Sequence, residues 1–179
     1  MLSALRSVRD RVERFALERH RRSILKVVRG GEGLHLDGKV LFVHAERLTL
    51  GRNVHIGHGA CFNCLGGITV GDHTIISGQV TIYSYDHAFK RPSRLPYDDE
   101  VTPKPVYIGR YVWIGMNVTI APGTIIEDGA VIGIGTVVSG HIPANAIVVS
   151  PKPRVVGYRD ESHTRALAQQ ERFYLSAAA

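Results

Sequence analysis

Long apolar runs are missing from this 179-residue chain. No stretch approaches the roughly 18 apolar residues that a membrane-spanning helix requires, so no membrane span is expected. Arg6, Arg9, Asp10 and Arg11 place charge where a secretory leader would need its apolar segment, and a cytoplasmic protein is the expectation. Aromatic residues are few, 7% against a hydrophobic total of 44%, which suits a narrow core of Ile and Val. Cysteine is almost absent. Cys61 and Cys64 are the two in the chain, and their Cys-x-x-Cys spacing is half of a zinc site or a redox pair. No second pair exists to complete the first, and the segment does not open a helix as the second requires. They are read as free thiols, one beside a strand and one in a corner.

Acidic residues are scarce in one place only. Residues 1–29 hold nine Lys or Arg against three acids, Asp10, Glu13 and Glu18, an excess of six that equals the net charge of the whole chain. The rest is near neutral, so the basic character belongs to one appendage. Leu5, Val8, Val12 and Phe15 recur at helical spacing there, with Ile24, Leu25 and Val28 extending an apolar face. A helix over residues 2–28 is predicted, ended by Gly30-Gly31. Two roles fit it: a cap on the open end of a repeat fold, or attraction to an anionic surface such as a membrane leaflet or a lipid-linked glycan. Nucleic acid is not expected, because no aromatic platform accompanies the charges.

What is plentiful is glycine, 19 residues, and it keeps time with a period. From Ile108 the openers Ile114, Ile120, Ile126, Ile132 and Val138 follow at steps of six, often with Gly next. Val112, Val118, Thr124, Ala130 and Thr136 stand two places before the next opener. A helix repeats near 3.6 and a flat strand at 2. A period of six fits short strands joined by tight turns, three blocks to a coil, with each opener stacked inside on the opener of the next coil: the hexapeptide parallel β-helix pattern. Earlier openers are Leu36, Phe42, Leu50, Ile56, Phe62, Val70, Ile76 and Ile82. The steps from 42 to 50 and from 62 to 70 are eight, so two extra residues fall at the same corner of successive coils. The repeats fade near Ala144, Pro151 and Pro153 mark their end, and residues 160–175 read as a short polar helix with Leu167, Phe173 and Tyr174 available for docking. The expected organisation is an N-terminal basic amphipathic helix (1–30), an all-β solenoid (31–158) and a C-terminal helix and tail (159–179).

Between Ile82 and Ile108 the period is lost. Residues 83–107 carry four of the eight prolines, Pro92, Pro96, Pro103 and Pro105. So long a loop in a regular solenoid is an excursion from one corner, and such loops usually carry function. His87, at its start, is the best candidate for a general base, with Asp86, Tyr83 and Tyr85 beside it. Asp98, Asp99 and Glu100 read as a solvated tip, and His20, His35, His44, His141 and His163 as surface residues.

The blocks Val80-Thr81-Ile82-Tyr83-Ser84-Tyr85-Asp86-His87, Pro105-Val106-Tyr107-Ile108-Gly109, Val112-Trp113-Ile114-Gly115 and Val131-Ile132-Gly133-Ile134-Gly135-Thr136-Val137-Val138 resemble the hexapeptide-repeat O-acetyltransferases, among them galactoside and maltose acetyltransferases and polysaccharide O-acetyltransferases. The similarity covers roughly residues 48–157. It implies a left-handed parallel β-helix, a known exception to right-handed crossovers, and a cytoplasmic homotrimer that binds acetyl-CoA between neighbouring subunits. It further implies that His87 is the general base and that Asn63 positions the acceptor or orients the site. Trp113 would lie against the cofactor or close the site. Ile134, Ser139 and Gly140 would line the CoA channel, and Arg154 would sit near the nucleotide phosphates. Gly140 stands where the family often has Lys, and Met116 where a small residue is usual, so Lys152 is a candidate for supplying a phosphate contact. Residues 1–47 do not resemble the acceptor-binding region of the galactoside and maltose enzymes, which favours a glycan precursor as acceptor and a role in polysaccharide biosynthesis. The implied chemistry is direct transfer: His87 takes the proton as a sugar hydroxyl attacks the thioester, with acetyl-CoA as acyl donor, no metal and no need of Cys61 or Cys64 as an acyl carrier.

Three other readings compete. One is an N-acyltransferase acting on an amino sugar or small metabolite, and another a non-catalytic scaffold. The third is a metal-dependent carbonic anhydrase of similar scaffold, which would need His55, His58 and His73 to converge. With coils of about 20 residues, His55 stacks near Ile75 and His58 near Gly78, and no histidine column forms.

Overall fold

A chain that must bury one aliphatic side chain every six residues has to turn after each short strand, and the computed structural model shows where it turns. It describes residues 2–150 and 157–170. Short parallel strands stack into a solenoid of about six turns with three faces. The first face is built from Arg29–Gly30, Leu48–Leu50, Ile68–Val70, Val106–Ile108, Ile125–Ile126 and His141–Ile142. The second is built from His35–Leu36, His55–Ile56, Ile75–Ile76, Trp113–Ile114, Val131–Ile132 and Ile147–Val148. The third is built from Leu41–Val43, Cys61–Asn63, Thr81–Tyr83, Thr119–Ile120 and Val137–Val138.

The register puts the openers in columns. Leu50, Val70, Ile108, Ile126 and Ile142 pair in turn on the first face. Leu36, Ile56, Ile76, Ile114, Ile132 and Val148 do so on the second. Phe42, Phe62, Ile82, Ile120 and Val138 complete the third. Of the fourteen openers read from the sequence, all but Phe42 are buried. Phe42 lies in the first coil, has a neighbour on one side only, and is half-buried against Phe62 at 5.0 Å between ring centroids. The residues two places before each opener fill the corners. Val54, Val80, Val112, Val118 and Ala130 are buried, and so are Thr74, Thr124 and Thr136. Burying the hydroxyl of Thr74 requires partners: it donates to the Gly109 carbonyl (2.8 Å) and accepts from the Val112 N–H (3.2 Å).

Two features differ from the sequence reading. The repeat runs on past Ala144 to Ile147–Val148. A step of only four separates Val138 from its successor Ile142, because the corner between the third and first faces is cut short there, and this breaks the period of six. The N-terminal helix, α1 (Leu2–Leu25), ends before residue 28: the N–H groups of Val27 and Val28 both turn back to the Ile24 carbonyl. The chain then passes Gly30 and Gly31, both at positive φ (77° and 82°), to lie beside Leu50.

The capping role of α1 follows from its contacts. Ile24 and Val28 are buried, Leu17 and Leu25 pack against the same core, and His20 Nε2 lies 3.1 Å from the Val40 carbonyl oxygen. Val12 and Phe15 remain exposed. On its polar side the hydrogen bonds from Arg21 and Arg22 hold the Glu18 carboxyl down at about 2. The C-terminal α2 (Glu161–Gln169) is capped by Asp160, whose carboxylate accepts from the His163 N–H at 2.8 Å. Leu167 is half-buried, and Phe173 and Tyr174 lie outside the described residues. Among the described residues no helix is long and apolar enough to cross a membrane.

Two carboxylates tie coils together at the corner that leads to the second face. Asp72 accepts from the Arg52 N–H (2.8 Å) and guanidinium (2.9 Å) one coil away, and Asp128 does the same with Arg110 (2.7 and 2.6 Å). The backbone N–H of Arg52 is the main cause holding the Asp72 carboxyl below its ordinary 3.8, and the Arg110 side chain does the same for Asp128. A carboxyl with a depressed folded pKa stabilises above its unfolded value, and that contribution is lost as pH falls through the folded value. Acid should therefore lower the melting temperature of the native protein more steeply below about pH 4 than that of the Asp72→Asn/Asp128→Asn double variant, as read by circular dichroism melts. Within the core, Ile114→Ala leaves a cavity with rigid strands on either side and should cost about 2–5 kcal/mol in denaturant unfolding.

Candidate active site

The corner between the third and first faces changes length along the solenoid. In the first full coil it is four residues containing the short 3₁₀ turn Ala45–Arg47. In the next it is residues 64–67. In the third it becomes the long excursion, which leaves after Tyr83 and returns at Val106 in perfect register, with Val106 against Ile68 and Ile108 against Val70. The excursion is not all irregular. Tyr85–His87 pairs antiparallel with Val101–Pro103, matching Tyr85 to Pro103, Asp86 to Thr102 and His87 to Val101.

Ser84 fixes the exit. It is fully buried; its Oγ donates to the Asn63 carbonyl (2.8 Å) and accepts from the Gly66 N–H (2.9 Å), while its own carbonyl accepts from the Lys104 N–H (2.8 Å). Gly66 is required by this approach, since a Cβ there would lie 1.7 Å from the Ser84 carbonyl oxygen. The hydroxyl thus locks the exit of the hairpin to the coil below, and the Ser84 carbonyl holds the returning end at Lys104. The side chains on either side of Ser84 are thereby aimed outward from a rigid base.

Those side chains form one connected group. Asn63 and Tyr83 are register partners on the third face. Asn63 Nδ2 lies 3.5 Å from the Tyr85 hydroxyl, a long and weak donation. The Tyr85 ring meets His87 edge-on at 5.8 Å, and Tyr97 stacks on the other side of His87 at 3.9 Å with 23° between planes. Asp86 accepts from Lys104 Nζ at 3.2 Å. Asp86, His87, Phe89, Arg91, Glu100 and Lys104 line a recess of about 430 Å3. Two buried side-chain atoms in this group have no hydrogen-bond partner, His87 Nδ1 and Asn63 Oδ1. Leaving such an atom unpaired costs about 1–3 kcal/mol, and unsatisfied groups of this kind concentrate where chemistry or a ligand needs them.

The sequence reading located Asn63, Tyr83, Tyr85, Asp86 and His87, and the fold brings all five together. It missed Tyr97 and Lys104. Neither obeys a repeat, and the only local sign was an aromatic or a cation next to prolines in a polar loop. The residues assigned to the acyl donor are elsewhere. Trp113 is on the second face between Ile75 and Val131, 56% exposed. Ile134 is exposed at the corner after that face, one coil beyond Met116, whose carbonyl accepts from the Gly135 N–H. Ser139 and Gly140 are exposed on the corner that bears the excursion two coils earlier, with Gly140 at φ 74°. Lys152 and Arg154 lie outside the described residues. Within one chain, Trp113 and His87 therefore stand on different faces.

The histidines proposed for a carbonic anhydrase-like metal do not converge. His55 pairs with Ile75, His58 lies against Gly78, and His73 stacks on Tyr111 at 5.8 Å. Both cysteines are free; Cys61 is half-buried on the third face and Cys64 is sealed in the core. Burial pushes the Cys64 thiol up to about 12, so it is not a thiolate near neutral pH and cannot serve as a nucleophile or redox partner. Titration with a thiol-specific disulfide reagent near pH 8 should modify no more than one thiol in the folded protein and both after denaturation.

Residues 105–140 match the bacterial transferase hexapeptide family model of six repeats. No curated protein matches the chain. Among solved structures, a maltose O-acetyltransferase from Clostridium difficile 630 is 27% identical with a TM-score of 0.63, covering 77% of this chain and 73% of that one. A hexapeptide-repeat-containing acetyltransferase from Vibrio cholerae is 25% identical with a TM-score of 0.65, covering 78% and 75%. The form of that protein complexed with acetyl coenzyme A aligns at 23% identity and a TM-score of 0.64 over 82% and 76%, which adds agreement in fold.

Proposed function

We infer that this hexapeptide-repeat acetyltransferase moves an acetyl group from acetyl-CoA to a hydroxyl of a sugar or cell-surface glycan precursor, with His87 as general base. The observation that carries the reading is the half-buried imidazole of His87, held between Tyr85 and Tyr97 beside a recess, with its Nδ1 and the Asn63 Oδ1 both enclosed and unpartnered. Enclosure of Nδ1 leaves Nε2 as the nitrogen that meets a substrate. With the proton on Nδ1, Nε2 carries the lone pair that accepts the hydroxyl proton as the oxygen attacks the thioester carbonyl. The proton then passes to the departing CoA thiolate, and no acyl-enzyme is needed. Asn63 offers its amide to the acceptor. Asp86 gives the recess a polar edge and Phe89 an aromatic surface of the kind that hold a sugar, and Tyr83 and Tyr85, next along the chain from Asp86, are assigned to the acceptor with them.

The donor side is completed by a second copy of the chain in a homotrimer. This is supported by a band of exposed apolar side chains on and beside the second face of the later coils: Ile75, Trp113, Met116, Ile134, Ile147 and Val149. Contiguous exposure of this kind marks an interaction surface. Packed against a neighbour, it sets the Trp113 indole beside that neighbour's His87 hairpin. Acetyl-CoA then lies in the groove between them, along Ile134, Ser139 and Gly140. The acetyl-CoA complex of the Vibrio cholerae protein supports the choice of donor.

The test is thiol release from acetyl-CoA in the presence of a panel of sugars, amino sugars and glycan fragments. His87→Ala should lower kcat about 10²- to 10⁴-fold, while light scattering reports three chains for both proteins. Near-normal turnover by the variant would exclude His87 as the base, and a panel in which only amines react would shift the reading to N-acylation.

A further inference from the structure

A second cluster lies away from the His87 recess, on the outer surface of the second face in its first two coils. His35 and His55 are register partners on adjacent parallel strands, so both side chains leave the same surface one coil apart. Asp37 is two residues beyond His35 and shares its side of the strand. The three converge. Asp37 Oδ2 is 2.7 Å from His55 Nε2, Asp37 Oδ1 is 3.3 Å from His35 Nε2, and the two imidazole centroids are 4.8 Å apart. One potential ligand atom from each residue falls within 4.8 Å of the others. The sequence reading left His35 as a surface residue, although the twenty-residue step from Leu36 to Ile56 stacks it on His55; what the spacing does not show is that Asp37, past the end of the strand, reaches both rings.

We propose that His35, Asp37 and His55 form a binding site for a zinc-like divalent first-row transition ion, distinct from the acyl-transfer site. The chemistry of the set fits. Two neutral imidazoles and one carboxylate are borderline-soft ligands of the type that zinc, cobalt(II) and nickel take. For metal–ligand bonds of about 2.0–2.1 Å, tetrahedral neighbours are about 3.3 Å apart, and the His35–Asp37 separation already has that value. The shorter His55–Asp37 contact is a hydrogen bond between Nε2 and the carboxylate. A metal takes that position on Nε2, and the neutral ring then carries its one proton on Nδ1. Coordination needs only side-chain adjustment, because the backbone that carries all three is hydrogen-bonded in the ladder: the His35 N–H donates to the Val54 carbonyl (2.9 Å) and the Asp37 N–H to the Ile56 carbonyl (3.2 Å). Solvent or an acidic side chain of another molecule supplies the fourth position. A metal here clips the first coil to the second, next to the end that α1 caps.

The experiment uses the full chain stripped of metal by chelation and titrated with cobalt(II) alone, then with zinc in competition with a chromophoric chelator. One cobalt per chain is expected, with the intense visible d–d bands of four- or five-coordination rather than the weak bands of the hydrated ion. A dissociation constant on the order of 1 µM for zinc and a metal-dependent rise in melting temperature are expected with it. His35→Ala, Asp37→Asn and His55→Ala should each weaken binding at least about tenfold, whereas His58→Ala and His73→Ala leave it unchanged. All five side chains are on the surface, and matching circular dichroism spectra establish that the variants fold. Weak octahedral bands in the native protein, or an affinity that survives the His35→Ala/His55→Ala double variant, overturn the proposal. His87→Ala leaves this readout intact, so failure of the metal site and failure of the acyltransferase reading are separately visible.

Discussion

Backbone pairing between coils works only if every coil presents the same small cross-section to the next, and one aliphatic side chain per strand sets that cross-section. The columns through Ile76, Ile114 and Ile132, and through Ile82, Ile120 and Val138, are the condition for everything outside them. Each strand is only two or three residues long and has no stability alone. Stacked, the strands share a core from which water is excluded, and each buried Ile contributes roughly 1.5–3 kcal/mol. The interior is therefore chemically inert and dimensionally strict. Reactive groups are confined to positions where the chain leaves the ladder, and what can be aimed from there depends on how firmly the exit is held. Ser84 is the means: a single buried hydroxyl, bonded on two sides, transmits the rigidity of the coil to Asn63 below and to the hairpin carrying Tyr85 and His87 above.

How much of this could be read in advance divides by physics rather than by region. Openers obey a period because burial imposes one, so the columns, the excursion and the enlarged corner were all recoverable from spacing. His87 stands out as a candidate because it is the one histidine of residues 83–107, where the period fails. The path of the chain inside the excursion was not. The pairing of Asp86 with Thr102, the stacking of Tyr97 on His87 and the ion pair from Lys104 to Asp86 depend on a hairpin whose turn lies among prolines and charges with no repeat to index it. The same holds at the far end, where a shortened corner carried Ile142, Ile147 and Val148 out of phase and hid a further coil. The His35–Asp37–His55 group went unread for a third reason. The twenty-residue step from Leu36 to Ile56 stacks His35 on His55, but Asp37 lies past the strand end, and only the fold brings its carboxylate within reach of both rings.

Charge is distributed by the same logic. The three faces bear few ionic groups, and those that matter sit at corners, where Asp72 and Asp128 each gather a backbone N–H and a guanidinium from the coil before. The basic excess is gathered on α1, whose later half is committed to the end of the core while Val12 and Phe15 stay uncovered. Cap and scaffold thus have separate electrostatic identities, and neither dictates the polarity of the recess around His87.

The one corner that lengthens has a consequence for how such a protein can change. It holds four residues in three coils (44–47, 64–67 and 121–124), some twenty in the one that bears the excursion, and only two between Val138 and His141, yet the strands on either side keep their partners throughout. Segment length at that vertex is mechanically uncoupled from the lattice it interrupts. The residues that line the recess thus sit in an exchangeable cassette, and a lineage can rewrite it without renegotiating the architecture underneath.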